Sequence, residues 1–280
     1  MTSRDDERRD PRALLRKYEL SPKRAFSQNF LIQRGAVERI ADTATGLGST
    51  VVELGPGLGA LTAALLKRNC QLVAIELDRD MIRVLQAEYG DDEALRLIQA
   101  DAANVDFSAL SEELGEALVV TGNLPYQATG AILKQVVAHR AVMRGAVLMV
   151  QREVRDRLVA QPGSKDYGAL TVFTQASFEV DTLLRLRPGA FFPAPRVDSA
   201  VVRLTPRKTV RAEETPSFRR VVRAAFQMRR KTLRNALRAL ADASEVDRAL
   251  NTAGIDGTRR GETLSVEEFA SLAEALSLGE

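Results

Sequence analysis

Apolar, β-branched segments alternate with helical patterns between about residues 35 and 150, and this alternation restricts the possible folds more than any other feature. Five segments have the character of buried strands: VVEL (51–54), LVAIE (72–76), LRLIQ (95–99), ALVVT (117–121) and AVLMVQ (146–151). The segments LTAALLKR, MIRVLQAEY and AILKQVVAH lie between them and have the apolar spacing of amphipathic helices. The pattern predicts an α/β fold, with a parallel sheet covered by helices on both faces.

Two later strands, DTLLRLRP (181–188) and DSAVVRLTP (198–206), have no helix between them. We expect them to pair as an antiparallel edge of the same sheet, as such sheets often have. The remainder of the chain has helical patterns only, several of which begin at or just after Ser or Thr. We therefore predict an α/β domain over residues 21–206 and a small all-helical domain over residues 207–280. Residues 1–20 have no clear apolar pattern and are expected to be mobile.

Cysteine and histidine are too scarce for several kinds of chemistry. The chain has one cysteine, Cys70, and one histidine, His139, so it can form neither an internal disulfide nor a thiolate metal cluster. His139 lies near the end of a predicted helix, where a solvated polar residue is common. No apolar run approaches the roughly 20 residues that span a bilayer, and the charged N-terminus is not a secretory signal. We expect a cytoplasmic protein without a metal site or a membrane partner, and a monomer.

Basic residues are concentrated in one part of the predicted helical domain. Residues 203–238 contain 12 Lys and Arg against 2 acids, whereas residues 239–280 contain 3 against 9. Such a block favours a polyanionic partner such as RNA. The candidate RNA-binding residues fall in two consecutive helical stretches: Arg219, Arg220, Arg223, Arg229, Arg230, Lys231, Arg234 and Arg238. At about 100° per residue, Arg219, Arg223 and Arg230 share one helix side. The alternative is that these cations pair with the following acids and only hold the small domain together.

The segment VVELGPGLGALTAALLKR has the pattern of a strand, a glycine turn and a helix. Gly55, Gly57 and Gly59 allow the backbone to turn sharply and to approach a ligand, while the helix N-terminus supplies unpaired N–H groups. Glu76 ends the next strand, where an acid commonly binds the two hydroxyl groups of a ribose. The pattern predicts a nucleoside-containing cofactor.

The spacing of the turn disfavours a dinucleotide. Nicotinamide-binding turns have the spacing G-x-G-x-x-G, whereas this chain has G-P-G-L-G, and Glu53 adds a negative charge that disfavours phosphate and tolerates a cation. S-adenosylmethionine fits better, because it has a ribose, an adenine and a sulfonium but no phosphate. Asp101 follows the third strand and can accept a hydrogen bond from the adenine amino group. These residues favour a Rossmann-like, S-adenosylmethionine-dependent methyltransferase sheet.

A stiff, partly aromatic corner follows the fourth strand, in the segment VVTGNLPYQATG (119–130). Ligands of open α/β sheets bind beyond the carboxyl ends of the strands, so this corner is expected beside the cofactor. The Asn123 side-chain oxygen and the Leu124 carbonyl could hold an exocyclic base amine with its lone pair toward the sulfonium methyl. Pro125 stiffens the backbone, and Tyr126 can stack on a base removed from its helix. We interpret the corner as a base clamp that needs no histidine.

In six segments the chain resembles the KsgA/RsmA family of ribosomal RNA adenine N6-dimethyltransferases, over roughly residues 20 to 270. These segments are SQNFL (27–31), ELGPGLGALT (53–62), AIELDRD (74–80), QAD (99–101), GNLPY (122–126) and GAFFPAPRVDSAVVRL (189–204). The resemblance implies S-adenosylmethionine as methyl donor. It also implies, as acceptor, two adjacent adenosines in the 3′-terminal stem-loop of 16S rRNA in an immature small ribosomal subunit, each receiving two methyl groups.

The resemblance also implies roles for particular residues. The implied cofactor residues are Asn29, Leu31, Gly55, Glu76, Asp101 and Asn123, and the glycine turn adds Gly57. Asn123 would also hold the target amine while Tyr126 stacks on the base. Phe191 matches the second stacking ring of the family. Ser27 stands where many members have glycine, and this leaves the conformation of the N-terminal loop open.

Three other functions compete with this interpretation. The macrolide-resistance methyltransferases share the clamp but modify an adenosine of 23S rRNA, and the GNLPY and PAPRVDS segments do not separate the two groups. The EVRDRLVAQPGSKDYGALTV stretch and the short helical C-terminal domain favour the small-subunit family. DNA adenine methyltransferases usually have Pro-Pro-Tyr or Pro-Pro-Phe in the clamp. An assembly factor that binds RNA without catalysis would be expected to have lost clamp or cofactor residues, which this chain retains.

Overall fold

A computed structural model describes residues 10–23, 26, 28–228 and 230–276 of the chain. It divides into two compact units: Met1–Arg155 with Asp181–Pro206, and Asp156–Val180 with Arg207–Glu280. None of the described helices combines the length and the apolarity needed to cross a bilayer.

The first unit is built on a seven-stranded sheet. Its strands, in chain order, are β2 (Thr50–Leu54), β3 (Gln71–Glu76), β4 (Leu95–Gln99), β5 (Leu118–Asn123), β6 (Met143–Gln151), β7 (Phe178–Leu186) and β9 (Ser199–Pro206). Their order across the sheet is β4-β3-β2-β5-β6-β9-β7. The pairs β2–β3, β3–β4, β2–β5 and β5–β6 are parallel, and β9 is antiparallel to β6. A separate two-stranded ribbon joins β1 (Phe30–Leu31) to β8 (Phe191–Phe192). The predicted parallel sheet is confirmed, and β9 and β7 are neighbours at its edge, as expected, with β9 antiparallel to β6.

The helices of this part of the chain, in chain order, are α1 (Pro11–Lys17), α2 (Arg34–Leu47), α3 (Ala60–Leu66), α4 (Arg79–Tyr89), α5 (Phe107–Leu114), α6 (Thr129–Ala138) and α7 (Arg152–Leu158). The strands β2 and β5 are buried along nearly their whole length, as expected for central parallel strands with both faces covered. Apolar side chains of α2 and α3, among them Ile40 and Leu65, pack against Val51 and Val119 of these strands. The packed helices therefore hold the central strands in place, and the carboxyl ends of these strands have fixed positions.

The segment 1–20, which was expected to be mobile, contains the packed helix α1 within its described residues 10–20, whereas residues 1–9 lie outside the described part of the chain. Asp10 caps α1 by accepting a hydrogen bond from the Arg12 N–H at 3.0 Å, and Pro11 begins the helix. Leu14 and Leu15 are buried in a cluster with Phe30, Leu58 and Met81. The helix is too short and has too few apolar residues to be recognised from its own sequence, because its stability comes from this tertiary packing.

The second unit is helical, and besides the predicted residues 207–280 it includes Asp156–Val180. It contains α8 (Ala169–Ser177), α9 (Pro216–Gln227), α10 (Leu233–Leu237), α11 (Ala243–Thr252) and α12 (Val266–Leu276). Residues 156–180, which the sequence placed in the α/β domain, include the end of α7 and the start of β7. They belong here because Tyr167, Val172 and Ala176 pack into one core with Phe218 and Phe269. The helical character predicted for residues 207–280 is confirmed in the described part.

Candidate active site

The glycine turn after β2 has a backbone conformation that other residues rarely adopt. Gly55, Gly57 and Gly59 have φ values of 66°, 58° and 84°. A Cβ atom on Gly59 would also lie 2.5 Å from the Tyr89 ring, so glycine is required there both for conformation and for space. Gly59 is the N-cap of α3. The turn thus presents main-chain atoms, rather than side chains, at the carboxyl end of β2.

Glu76 at the end of β3 connects the turn to the neighbouring strand. Its Oε2 accepts a hydrogen bond from the Gly57 N–H at 3.1 Å, and its Oε1 accepts from the N–H groups of Leu77 and Asp78 at 2.8 and 2.9 Å. Burial raises the pKa of this carboxyl, although the three N–H groups oppose the shift. The carboxylate is therefore oriented by the main chain before any ligand arrives.

Strand pairing brings the corner after β5 next to the turn. Leu54 pairs with Gly122, and a Cβ atom on Gly122 would lie only 2.2 Å from the Leu54 carbonyl oxygen, so glycine allows the two strand ends to approach. The Leu124 N–H donates to the Met149 carbonyl at 3.1 Å and extends the pairing with β6 by one residue. The corner begins on a backbone that is hydrogen-bonded to its neighbouring strands.

The side-chain amide of Asn123 has one defined orientation. Its Nδ2 donates to the main-chain carbonyl of Asn29 at 2.8 Å. Because a carbonyl only accepts hydrogen bonds, the nitrogen must face Asn29, and Oδ1 faces the other way. The corner therefore presents an oriented acceptor.

The next residues of the corner form a tight turn. The Pro125 carbonyl accepts from the Ala128 N–H and from the Thr129 hydroxyl, each at 3.0 Å. Tyr126 is half-buried, and its hydroxyl is hydrogen-bonded to Ser199 at the start of β9. Burial raises the pKa of this phenol. The ring is thus held at both ends, by the turn and by Ser199.

A cavity of about 420 Å³ lies between the glycine turn, Glu76 and the corner. It collects nearly all of the residues that the sequence indicated for cofactor binding and for the clamp. These are Asn29, Leu31, Gly55, Gly57, Glu76, Asp101, Asn123, Leu124, Pro125 and Tyr126. The described lining contains the acids Glu53, Glu76 and Asp101 but neither Lys nor Arg, a composition suited to a cationic ligand and unsuited to a pyrophosphate.

Asp101 already makes two hydrogen bonds within its own segment. Its Oδ1 accepts from the Ala103 N–H at 2.9 Å, and its Oδ2 accepts from the Asn104 side chain at 3.1 Å. These contacts cap the 3-10 turn Ala102–Asn104. The carboxylate lines the cavity in this fixed orientation. No group of three His, Cys, Asp or Glu side chains within the described ranges is arranged to hold a metal ion.

Phe191, which was predicted to be the second stacking ring, lies away from the cavity in this structure. It is not among the residues that line the cavity; its side chain is 4% exposed and packs against Leu31, its partner in the two-stranded ribbon. Adjacent strand residues point to opposite faces, and Phe192 accordingly joins the cluster that contains Leu14 and Phe30. In this structure the Phe191 ring packs in the apolar core, and its stacking on a base stays a prediction. Ser27 lies outside the described residues.

Glu53, which the sequence indicated only as a negative charge beside the glycine turn, is a buried residue of the cavity wall. Glu53 is 1% exposed and lines the cavity, and its Oε2 accepts a hydrogen bond from the Thr62 hydroxyl at 2.7 Å. Burial raises the pKa of this carboxyl to about 8, and the negative charge of Glu76 adds to the shift. A buried carboxyl of this kind would lose its proton more readily once a positive charge enters the cavity, and the carboxylate would then pair with that charge.

We expect Glu53→Gln to remove one component of the pH dependence of stability. Between its ordinary pKa of 4.5 and the raised value of about 8, Glu53 keeps its proton in the folded state and loses it in the unfolded state. The free energy of unfolding should therefore fall as the pH rises through this window, by about 1.4 kcal/mol per pH unit from this group. Denaturant titrations across the window measure this slope.

The matched control for this prediction is Glu112→Gln, at an exposed position of α5. The control should keep the pH slope of the wild-type protein, whereas Glu53→Gln should flatten it. Parallel slopes for the wild type and Glu53→Gln would mean that Glu53 is ionised in the folded protein.

The described candidate RNA-binding residues are exposed except Arg219, which is half-buried, and they are not all helical. Helix α9 ends at Gln227, and the chain then turns, with the Lys231 N–H donating to the Met228 carbonyl at 2.8 Å. The prediction that Arg230 shares a helix side with Arg219 and Arg223 is therefore wrong. The new helix begins only after Thr232, its N-cap residue. Arg229 lies outside the described residues.

Ion pairs occupy part of this basic block. Arg219 pairs with Glu214 at 3.0 Å, and Arg234 pairs with Asp247 at 2.6 Å. Arg220 and Arg223 are exposed on α9, and within the described part of the chain neither forms an ion pair. Pairing with the acids of residues 239–280 thus accounts for Arg234 but not for Arg220 and Arg223.

The sheet order and the cavity at the carboxyl ends of its strands are those of the Rossmann-like methyltransferase fold. The crystal structure of a dimethyladenosine transferase from Plasmodium falciparum has the same fold, with a TM-score of 0.74 and 23% identity over 87% of this chain and 95% of that one. The 23S rRNA methyltransferase ErmE is also similar, with a TM-score of 0.66 and 27% identity over 89% of this chain and 99% of ErmE.

Sequence comparison gives a narrower assignment. A profile of the family "Ribosomal RNA adenine dimethylase" matches residues 20–278. The "Ribosomal RNA small subunit methyltransferase A" of Anaeromyxobacter dehalogenans (strain 2CP-C) is 45% identical over 278 residues, which cover 95% of this chain and 97% of the relative. The protein of the same name from Moorella thermoacetica is 44% identical over 94% of this chain and 96% of its own. The chain belongs to the ribosomal RNA adenine dimethylase family.

Proposed function

We propose that this protein transfers methyl groups from S-adenosylmethionine to N6 of two adjacent adenosines in the 3′-terminal stem-loop of 16S rRNA, dimethylating each during small-subunit assembly. The observation that carries the proposal is the corner Asn123–Tyr126 on the wall of the cavity that also contains Glu76. The Asn123 amide is held there with its oxygen available as an acceptor. The residues proposed to hold the adenine and those proposed to hold the cofactor thus line the same cavity.

The cofactor assignment is supported by the chemistry of the cavity lining. Glu76 offers an oriented carboxylate for the hydroxyls of a ribose, and Glu53 offers a buried carboxyl that would ionise beside a positive charge. Asp101 offers a further acceptor for an adenine amino group. When bound, S-adenosylmethionine would supply an electrophilic methyl group. The lack of Lys and Arg in the described lining argues against a phosphate-bearing cofactor.

The clamp residues would act on the adenine amine by hydrogen bonding and stacking. Asn123 Oδ1 would accept a hydrogen bond from one N–H of the amine, and the Leu124 carbonyl would accept a hydrogen bond from the other. The Pro125 carbonyl is not available for this role, because it already accepts two hydrogen bonds within the turn. These two bonds favour a pyramidal nitrogen with an available lone pair. Tyr126 would stack on the flipped base. The amine would lose a proton after methylation has made it cationic, so no general base is required before the attack.

The small subunit is favoured over the large subunit as the source of the substrate. The relatives named for the small subunit are up to 45% identical to this chain, whereas ErmE, named for 23S rRNA, is 27% identical. We place the reaction in the cytoplasm, where ribosomal subunits assemble, and expect the protein to act as a monomer.

The experiment that tests the proposed function measures transfer of labelled methyl groups to immature small subunits and, separately, to 23S rRNA. Incorporation into small-subunit RNA as N6,N6-dimethyladenosine is expected. Incorporation into 23S rRNA alone would support the macrolide-resistance type of activity. Binding to small subunits without incorporation into any RNA would point to an assembly factor without catalysis.

We expect the exposed arginines of α9 to contribute to RNA affinity through phosphate contacts. Reversing the charge of both Arg220 and Arg223 should weaken RNA binding and reduce the salt slope of the binding constant by about one unit for each lost contact. The affinity for S-adenosylmethionine should not change, because the cavity lies in the first unit. RNA affinity measured at several salt concentrations tests this expectation.

A matched control reverses Arg248 and Arg260, which are exposed in the acid-rich part of the same unit. This pair should leave the salt slope nearly unchanged. An unaltered slope for the Arg220 and Arg223 variant, together with a lower melting temperature, would assign the basic block to the stability of the fold.

A further inference from the structure

A hydrogen-bonded network ties the loop before β1 to the start of α4. The Lys23 ammonium lies 2.7 Å from Asp78 Oδ1 and 2.6 Å from Asp80 Oδ2. The Asp78 side chain is 3% exposed, and its Oδ1 also accepts from the Asp80 N–H at 3.0 Å as the N-cap of α4. A buried carboxylate with this many donors is held in a single orientation.

Gln28 completes the network with both ends of its side-chain amide. Its Nε2 donates to Asp78 Oδ2 at 2.8 Å, and its Oε1 accepts from the Lys23 N–H at 2.8 Å. Gln28 also lines the cavity. Because a carboxylate only accepts and an N–H group only donates, the amide of Gln28 can satisfy both partners in one orientation only.

The network is connected to the corner Asn123–Tyr126 on one side and to Glu76 on the other. Asn29 follows Gln28 directly, and its carbonyl is the acceptor that orients the Asn123 amide. The Asp78 N–H donates to Glu76 Oε1. Asp78 thus contacts the acid of the cofactor site through its main chain and the loop that orients the clamp through its side chain.

We propose that Gln28 and Asp78 are positioning residues for methyl transfer: their hydrogen bond places the Asn29 carbonyl and thereby sets the direction of Asn123 Oδ1. This inference rests on the proposed function and adds to it two residues that need touch neither cofactor nor base. A small displacement of the Asn29 carbonyl would rotate the Asn123 amide away from the target amine. Displacements of about 1 Å in positioning groups can cost on the order of a hundredfold in rate.

The test exchanges the donor and the acceptor between the two residues. Gln28→Glu places a carboxylate against the Asp78 carboxylate, and Asp78→Asn makes two amides face each other beside Lys23. The double variant Gln28→Glu/Asp78→Asn restores one donor and one acceptor and keeps the net charge. Asn is also a good N-cap, so capping of α4 is retained.

Three measurements on each full-length variant decide the proposal: the single-turnover methylation rate at saturating cofactor, the thermal midpoint, and hydrogen exchange of the segment 28–31 without cofactor. Gln28→Glu is expected to lower the rate by about 10- to 100-fold with a smaller effect on cofactor affinity, and to increase exchange in the segment. The double variant is expected to restore both the rate and the protection.

Rates and exchange that stay at the wild-type level in Gln28→Glu would overturn the proposal. So would a double variant that folds with a normal thermal midpoint but restores neither quantity. If the wild-type protein methylates no ribosomal RNA, the proposed function fails, and hydrogen exchange in the two single variants and the double variant still decides whether Gln28 and Asp78 hold the loop.

Discussion

Asn123→Ala is expected to abolish most methyl transfer while the protein remains folded. The substitution removes an acceptor that is already oriented by the Asn29 carbonyl before substrate binds. Loss of one such preorganised hydrogen-bonding group typically costs on the order of 10²- to 10³-fold in rate. Asn123 lies at the end of β5 and contributes a side-chain contact rather than core volume, so the thermal midpoint should change little. Single-turnover rates and melting curves measure the two effects.

The control for this prediction is Asn251→Ala, an exposed asparagine of α11, which should alter neither quantity. Cofactor affinity of Asn123→Ala should also be measured, since the residue lines the shared cavity. A rate and a thermal midpoint that fall in parallel would identify Asn123 as a structural residue, and the clamp mechanism would then be wrong.

Glu76→Ala is expected to weaken cofactor binding strongly. A carboxylate that holds ribose hydroxyls forms charge-assisted hydrogen bonds, each contributing about 1.5–3 kcal/mol. Losing one such bond raises the dissociation constant roughly tenfold or more. Calorimetric titration with S-adenosylmethionine measures this constant.

Glu76 also holds the Gly57 N–H, so loosening of the glycine turn must be separated from loss of the ligand contact. Glu76→Gln serves this purpose, because its amide oxygen can keep one main-chain hydrogen bond while the charge is lost. An intermediate affinity is expected for this variant. An unchanged dissociation constant in Glu76→Ala would remove the residue from the cofactor site.

Much of the α/β unit could be predicted because its signals are local. The strand LRLIQ was predicted at the same residues as β4, and the other six predicted strands agree with the structure to within three residues at each end, whereas the short strands β1 and β8 were not predicted. A buried parallel strand is a short run of apolar, β-branched residues, and an amphipathic helix repeats its apolar positions every three to four residues. The carboxyl ends of β2, β3 and β5 meet at one edge of the sheet, so the topology alone brought Gly55, Glu76 and Asn123 together.

The local sequence pattern did not predict the structure where contacts with distant parts of the chain determine it. Helix α1 and the segment of residues 156–180 have apolar residues whose partners lie far away in the chain. Phe191 was assigned to the base by resemblance, but its place in the two-stranded ribbon directs the ring into the core. In each case the favourable burial of apolar surface determined the position of the residue.

The sequence by itself determined the order of strands and helices, the glycine turn and the residues of the proposed clamp, because each depends on residues close together in the chain. Only the tertiary structure decided the orientation of those groups. The orientation of the Asn123 amide is fixed by the carbonyl of Asn29, which is 94 residues away in the chain. The orientation of the Gln28 side chain is fixed by the carboxylate of Asp78, which is 50 residues away. A hydrogen bond requires its two atoms to be placed within a few tenths of an ångström, and between distant residues that placement follows from the packing of the whole sheet and its helices.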